Sequence, residues 1–196
     1  QMLGMPTSAI INLKDYKSKA PLPKRDGILF LTYAMLRSQQ QNGSFDRVNQ
    51  IIDWVGKHFD GAMIFDECQN MRNGLSAVHS DSNASMSKQA QAGIMLQDML
   101  PDSRVVYCSA TGSTLIENLA YMVRLGLWGN GTPFSDVHQF METFEESGLS
   151  GLEAITAHIK AAGQMVCRQL SMSGVTHTEL LHVMSPADIE LFDSYS

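Results

Sequence analysis

The chain has 196 residues, of which 44% are hydrophobic and 17% are charged, and its formal net charge is −6. This length can bury the core of one domain, and the composition is that of a globular protein rather than a disordered one. No apolar run approaches the roughly 18 residues of a membrane-spanning helix, and no signal-peptide pattern opens the chain, so we predict no membrane partner.

The charge is unevenly distributed. Residues 1–50 carry seven Lys/Arg and three Asp/Glu, a balance of +4, so the remainder carries −10. The basic stretch 14–25 indicates either a local contact with phosphates or an ordinary solvated face. Because the rest of the chain is acidic, we do not expect it to bind nucleic acid tightly by itself.

The three cysteines, Cys68, Cys108 and Cys167, share no C-x-x-C spacing. An odd number without paired spacing favours reduced thiols, and therefore a cytoplasmic or nuclear location. A zinc site that adds His58 and His79 to Cys68 lacks the ligand spacing of known zinc motifs.

The first half of the chain alternates predicted strands and helices. Residues 1–27 look irregular, and "GILFLTY" (27–33) reads as a buried strand. Between residues 46 and 59, apolar side chains recur at helical spacing. "GAMIF" (61–65) is continuously apolar, which is typical of a strand covered on both faces.

The pattern continues after a polar segment, 73–83, that reads as a loop. Residues 84–100 are predicted to form a helix with Met86, Ala90, Ile94 and Met99 on its buried side. "RVVYCSATG" (104–112) is a third buried strand. Strands that alternate with helices predict an α/β fold with a mainly parallel sheet flanked by helices.

The last third is predicted to be mainly helical. Helices are expected from residue 115 to Gly126, over 135–147 with Gly148 as its C-cap, and from the capping-box segment "SGLE" (150–153) to about Gln169. A strand at 175–183 and a terminal helix from Ser185 complete the prediction.

Polar side chains end all three predicted strands. In an open parallel sheet, ligands bind beyond the carboxyl ends of the strands. The residues concerned are Thr32 and Tyr33, then Asp66 and Glu67, then Ser109 and Thr111. Three such ends on one edge favour a site, although acids that follow a strand are also common in ordinary turns.

Asp66 and Glu67 suit nucleotide hydrolysis. An aspartate at a strand tip can hold Mg²⁺, and the adjacent glutamate can orient or deprotonate the attacking water. Hydroxyl groups on the neighbouring strand can bond these carboxylates and register whether a phosphate is present.

The segments that carry this pattern resemble a known family. "MIFDEC" and "VVYCSATG" are similar to motifs II and III of superfamily 2 helicases. "MVRLGLWGNGTPF" and "VCRQLSMSGVT" narrow the resemblance to the strawberry notch family of helicase-like proteins. It runs over about residues 1–183.

The resemblance implies the first of two RecA-like motor domains of an ATP-dependent helicase-like protein. Residues 1–112 would be part of the ATP-binding domain, and residues 113–196 a helical extension toward the second motor domain. It also implies ATP and Mg²⁺ as cofactors. The implied partners are nucleic acid, DNA in preference to RNA, together with possible protein partners.

Residue roles follow from the same resemblance. Asp66 would serve Mg²⁺ and Glu67 the hydrolytic water. The coupling motif would be Ser109, Ala110 and Thr111, and the nucleic-acid contacts would be Thr32 and Tyr33. Cys68 and Gln69 form the variable part of motif II, and Arg168 and Gln169 are a family signature without an assigned role.

The chain departs from the family pattern in two places. No G-x-x-x-x-G-K-[ST] phosphate-binding loop occurs, and the one Gly-Lys pair, Gly56-Lys57, is followed by His58. In the family this loop precedes the segment matched here, so we expect half a catalytic site and an isolated chain without useful ATPase activity. Gln69 stands where the family usually has histidine; glutamine donates and accepts but does not titrate.

Two alternatives remain open at this point. The first is a RecA-like domain that acts as a binding or scaffolding module in transcriptional regulation without hydrolysis. The second is an unrelated Rossmann-like domain with chance motif matches. An intact Asp66-Glu67 pair and Ser109-Ala110-Thr111 weigh against complete degeneration.

Overall fold

The computed structural model describes most of the chain. The described ranges are 6–38, 45–71, 87–110, 119–145 and 147–167, with isolated residues at 174, 176, 178, 185, 188 and 189. The chain divides into two compact units, residues 1–165 and 166–196. The strands and helices given below all lie in the first unit.

Within the described ranges, four short strands form two parallel pairs. β1 (Ile10–Asn12) pairs with β2 (Ile28–Phe30), and β3 (Ala62–Phe65) pairs with β4 (Arg104–Tyr107). Parallel neighbours need crossover connections: the helix Lys88–Met99 lies between β3 and β4, and residues 13–27 connect β1 to β2. The predicted parallel α/β architecture is therefore confirmed.

The strand boundaries differ from the prediction in detail. β1 was not predicted, because three residues are too few to show a period. β2 stops at Phe30, since the Thr32 hydroxyl accepts a hydrogen bond from the Met35 backbone amide at 3.3 Å and begins a helix at Tyr33. This is the usual N-cap arrangement of a threonine.

In the described residues, five α-helices accompany the strands. Their bounds are Tyr33–Leu36 (α1), Asp46–Val55 (α2), Lys88–Met99 (α3), Val137–Glu145 (α4) and Gly148–Ala161 (α5). α2 buries Val48, Ile51 and Ile52 and ends at Gly56, whose φ of +81° suits glycine. Among helices in the described part of the chain, none is long and apolar enough to cross a bilayer.

The buried side of α3 was predicted only in part: Ala90 is buried and Ile94 is partly buried, as predicted, while Met86 lies outside the described residues. Met99 is exposed, and the buried residues are Ala90, Ala92, Gly93, Leu96 and Gln97. Small residues are selected because α3 packs closely against α1, α2 and the turn at 68–71. A Cβ added at Gly93 would lie 2.5 Å from the Met71 sulfur, so the close approach needs glycine at this position.

Two apolar clusters cover the inner side of the strands. One joins α1, α2 and α3 through Leu36, Phe45, Val48, Ile51, Ile52, Ala92, Leu96 and Leu100. The other lies beneath the carboxyl end of β3 and contains Phe65, Cys68, Met71, Ala90 and Tyr121. The second cluster holds the segment that follows β3 and so positions the candidate site.

The opposite side of the strands is exposed among the described residues. Ile64 is 67% exposed, Val106 lies opposite it in register, and Ile28 and Phe30 are exposed on the other pair. The prediction that "GAMIF" is covered on both faces was wrong for this face. The exposed and less exposed residues alternate, as the two-residue period of a strand requires.

The last third is helical with different boundaries. Residues 119–126 form turns rather than the predicted helix end, while α4 lies inside its predicted range. Gly148 begins α5 instead of capping α4, and α5 ends at Ala161 rather than near Gln169. The predicted strand at 175–183 lies outside the described residues, except for the isolated residues 176 and 178.

Candidate functional site

Two exposed carboxylates follow β3 directly. Asp66 and Glu67 come after the buried Phe65 and precede the buried Cys68. Backbone hydrogen bonds extend the pairing of β3 and β4 beyond the ends of the strands. The Cys108 amide donates to Phe65 O, and the Cys68 amide donates to Cys108 O, each at 2.9 Å. The two acids are therefore held on a short turn between two fixed points.

Glu67 adopts a left-handed backbone conformation with φ of +48°. This conformation costs a residue with a side chain about 1 kcal/mol, so the surroundings must stabilise it. The Asn70 backbone amide and side-chain amide both donate to Glu67 O, at 2.9 and 3.0 Å. The Glu67 amide donates to Asp66 Oδ1 at 3.1 Å.

A hydrogen-bonded relay joins the two predicted motifs. Ser109 Oγ donates to Gln69 Oε1 at 2.6 Å, and Gln69 Nε2 donates to Glu67 Oε2 at 2.6 Å. An ionised carboxylate only accepts, so its contact fixes which end of the Gln69 amide faces Glu67. Gln69 was predicted as a variable residue of motif II without a contact of its own, whereas its side chain bridges Glu67 and Ser109.

Tyr33 lies against the same turn. Its hydroxyl donates to the Asp66 carbonyl oxygen at 2.8 Å, which links the segment after β2 to the segment after β3. Burial raises the pKa of the Tyr33 hydroxyl above its ordinary value, with smaller contributions from Cys68 and Asp66. The group therefore stays protonated and donates at any working pH.

Replacing Tyr33 with phenylalanine tests this link. The Tyr33→Phe substitution keeps the ring and removes the hydroxyl, so we expect the free energy of unfolding to fall by about 1 kcal/mol. Urea denaturation followed by circular dichroism measures the difference. Tyr16→Phe is a matched control, since no side-chain hydrogen bond is described for Tyr16. An equal loss in both variants would show that the Asp66 contact contributes nothing.

Cys68 anchors the turn from below. Its side chain is buried, and the hydroxyl of Tyr121 donates to its sulfur at 3.4 Å. Burial is the largest effect on the Cys68 thiol and raises its pKa, so the residue is an inert core thiol rather than a nucleophile. All three cysteines are free, as predicted.

A buried polar network lies beside this anchor and was missed at the sequence level. Tyr107 donates from its hydroxyl to Gln97 Oε1, and Gln97 Nε2 donates to Gly93 O and Tyr121 O at 3.0 and 3.2 Å. The Arg124 amide donates to the Tyr107 hydroxyl at 3.2 Å. The sequence feature that could have indicated this network is a glutamine, Gln97, on the same side of α3 as the small residues.

Arg124 extends the network around the turn between α3 and β4. Its guanidinium donates to three main-chain carbonyls, those of Gln97, Pro101 and Ser103. Arg124 thereby attaches the segment that follows Ala110 to the turn between α3 and β4. The network therefore fixes Tyr121, which contacts Cys68.

The remaining predicted residues do not all belong to the described structure. Thr32 is exposed and caps α1, and Ala110 is exposed next to Ser109. Thr111, Arg168 and Gln169 lie outside the described residues. The roles predicted for these residues stay predictions.

The carboxylate of Asp66 is a suitable ligand for Mg²⁺. Among the residues described, no group of three or more His, Cys, Asp or Glu is arranged to hold a metal ion. Mg²⁺ does not need such a group, because it keeps several waters and uses one or two carboxylates together with substrate phosphates. The exposed carboxylate of Asp66 at a strand end meets that requirement.

Comparison with known proteins gives a consistent result. The family model described as "P-loop containing NTP hydrolase pore-1" matches residues 1–194. Protein strawberry notch homolog 2 of Mus musculus is 39% identical over 170 residues, which is 86% of this chain and 12% of that protein. No solved structure matches.

Relatives from a plant and from an insect match at similar identity. Protein FORGETTER 1 of Arabidopsis thaliana is 41% identical over 150 residues, which cover 76% of this chain and 11% of that protein. Protein strawberry notch of Drosophila melanogaster is 40% identical over 153 residues, 76% of this chain and 9% of that protein. The chain thus spans about a tenth of the length of the relatives it matches. The match to the P-loop family also confirms the predicted fold class, and the chain belongs to the strawberry notch family of helicase-like P-loop NTPases.

Proposed function

We propose that this chain supplies the hydrolytic half of an ATPase site in a helicase-like motor that acts on nucleic acid, DNA in preference to RNA. The observation that carries the proposal is the relay from Ser109 through Gln69 to Glu67. A motor needs a physical link between the group that handles water and the neighbouring strand end. The relay has the composition and the position of such a link.

Asp66 and Glu67 would divide the chemistry between them. Bound Mg²⁺ would neutralise charge that develops on the phosphates of ATP during transfer to water. Asp66 would hold that ion with its exposed carboxylate. Glu67 would accept a hydrogen bond from the attacking water and orient it, while Gln69 holds one of the two carboxylate oxygens at 2.6 Å.

In this proposal, residues outside this sequence bind the triphosphate. The chain contains no G-x-x-x-x-G-K-[ST] segment, and that loop cradles the phosphates in P-loop enzymes. The proposed activity therefore belongs to a longer polypeptide in which such a loop meets Asp66 and Glu67. The isolated chain is expected to hydrolyse ATP no faster than buffer.

The test is ATP hydrolysis by a polypeptide that joins this chain to a phosphate-binding loop of its own family, measured with and without DNA or RNA. Stimulation by nucleic acid is the expected result, and a larger stimulation by DNA than by RNA would support the stated preference. Nucleotide binding without hydrolysis, with the loop present and nucleic acid supplied, would contradict the proposal. The scaffolding alternative would then account for the intact fold.

Replacing Gln69 with histidine should make hydrolysis sensitive to pH. Neutral histidine can donate and accept as glutamine does, but histidine that gains a proton only donates and pairs with Glu67, which weakens that carboxylate as a base. The adjacent carboxylate raises the pKa of the new imidazole above its ordinary value of about 6.5, so the charged form dominates at about pH 6.5 and below. We expect activity of Gln69→His to fall at least about tenfold between pH 7.5 and 5.5, relative to the unaltered protein.

Steady-state rates across this pH range measure the effect. Gln69→Leu is the matched control, since leucine breaks the relay at every pH and should lower activity without adding a titration. If Gln69→His and the unaltered protein have parallel pH profiles, Gln69 does not act on Glu67.

A further inference from the structure

The connection between β1 and β2 lies along α2 as a basic strap, defined here as residues 16–25. The strap contains four Lys/Arg and no Asp or Glu, so it carries a charge of +4 in a chain of net charge −6. Because β1 and β2 are parallel, the connection must return from the carboxyl end of one to the amino end of the other.

Side chains of α2 hold the main chain of the strap. Arg47 Nη1 donates to Tyr16 O at 2.9 Å, and Gln50 Nε2 donates to Lys17 O at 3.1 Å and to Ala20 O at 2.6 Å. Arg47 also donates to Gln50 Oε1 at 2.8 Å. The anchors bind carbonyl oxygens, so they order the strap without occupying its lysine side chains.

Trp54 continues the same stripe of α2. Its indole N–H donates to Pro23 O at 2.7 Å, and the neighbouring Leu22 is buried. Arg47, Gln50 and Trp54 are spaced at i, i+3 and i+7, which places them on one helix face. The strap is thus fixed along about 10 Å of α2, at about 1.5 Å per residue.

The charges of the strap remain exposed. Lys17, Lys24 and Arg25 are exposed, and in the described part of the chain none of them has an ion-pair partner. Lys19 lies 4.0 Å from Asp46, so its charge is partly neutralised. Along the axis of a duplex, a stretch of about 10 Å corresponds to roughly three phosphates of one strand, at about 3.4 Å each.

The cleft beside the strap argues against a small anionic ligand. It has a volume of about 890 Å³ and lies between the strap and α2. Three aspartates line it together with the cations, namely Asp26, Asp46 and Asp53. Their charge disfavours a free nucleotide or phosphate inside the cleft. Lys24 and Arg25 also line the cleft but are exposed, so an extended polyanion can reach them from outside.

We propose that the basic strap binds the sugar-phosphate backbone of a nucleic acid. This inference rests on the proposed function, because it assigns the nucleic acid of the motor to a surface of this chain. Lys17, Lys24 and Arg25 would each neutralise a phosphate, and the anchors on α2 would keep their spacing. Contacts to phosphates position a protein without reading sequence, so we expect no base preference.

The test is binding of the 196-residue chain to a fluorescein-labelled 25-nucleotide DNA strand and to its duplex. Fluorescence anisotropy is measured between 25 and 200 mM NaCl. The strap variant combines Lys17→Gln, Lys24→Gln and Arg25→Gln, and the control combines Lys57→Gln, Lys88→Gln and Lys160→Gln. All six residues are exposed, and both variants lose three positive charges. Thermal melting checks that all three proteins fold alike.

The strap variant should lower the slope of log Kd against log salt by about 2, since each phosphate contact contributes about 0.7 on a single strand. The control variant should keep most of the slope. Equal weakening in both variants, or no salt-dependent binding of the unaltered chain, would overturn the proposal. No ATP is present, so this result is independent of Asp66 and Glu67. If the strap does not bind DNA but the longer polypeptide hydrolyses ATP, the proposal for the strap is wrong and the proposed function stands.

Discussion

Replacing Glu67 with glutamine should lower ATP hydrolysis about 100-fold to 10,000-fold in a polypeptide that also carries the phosphate-binding loop. Glutamine has the shape of glutamate and keeps an acceptor for Gln69 Nε2, so the turn after β3 is preserved. It cannot take a proton from water, so the loss is one of chemistry rather than of fold. Steady-state rates and the KM for ATP measure the change, and KM should stay within about threefold.

Glu142→Gln is the matched control, because Glu142 is an exposed glutamate on α4. Asp66→Asn adds a second comparison: it should raise the Mg²⁺ concentration needed for half-maximal activity, which Glu67→Gln should not do. If Glu67→Gln retains normal activity, the assignment of Glu67 to the hydrolytic water is wrong. Unaltered thermal melting of the variants separates a chemical loss from unfolding.

The sequence predicted the position of the candidate site but not its internal connections. Asp66 and Glu67 could be placed at a strand end because an apolar run stops there. The link between Gln69 and Ser109 spans 40 positions and depends on how β3 and β4 are paired. The left-handed backbone conformation of Glu67 could not be predicted from the residue type, because glutamate rarely adopts it.

The fold was predictable where residue periodicity was strong. α2 has a clear apolar stripe, and β3 ends where its apolar run ends. The buried side of α3 was predicted only at some positions, because it consists mainly of small residues with Leu96 and one glutamine, which form only a weak hydrophobic stripe. The burial of small residues there follows from close packing against Met71 and its neighbours, a tertiary effect that periodicity does not carry.

Buried polar contacts attach the segment around Tyr121 to the acidic turn after β3. Tyr121 contacts Cys68 directly behind the acidic turn, and Gln97 accepts from one tyrosine while donating to the carbonyl of the other. Burial raises the pKa of both Tyr107 and Tyr121, so their hydroxyls remain donors at working pH. The network is fully satisfied, which makes its loss costly.

Gln97→Leu should accordingly destabilise the chain by about 2–6 kcal/mol. Leucine fills a similar volume, but it leaves the Tyr107 hydroxyl without its acceptor and the Tyr121 carbonyl without its donor, at about 1–3 kcal/mol for each buried group. Urea denaturation measures the change. Gln89→Leu, at a less buried position of the same helix, is the matched control and should change stability by less than about 0.5 kcal/mol. Equal effects of the two substitutions would contradict the assigned role of Gln97. A selective loss, accompanied by faster hydrogen exchange at the Cys68 amide, would establish that this network holds the acidic turn in place through Tyr121.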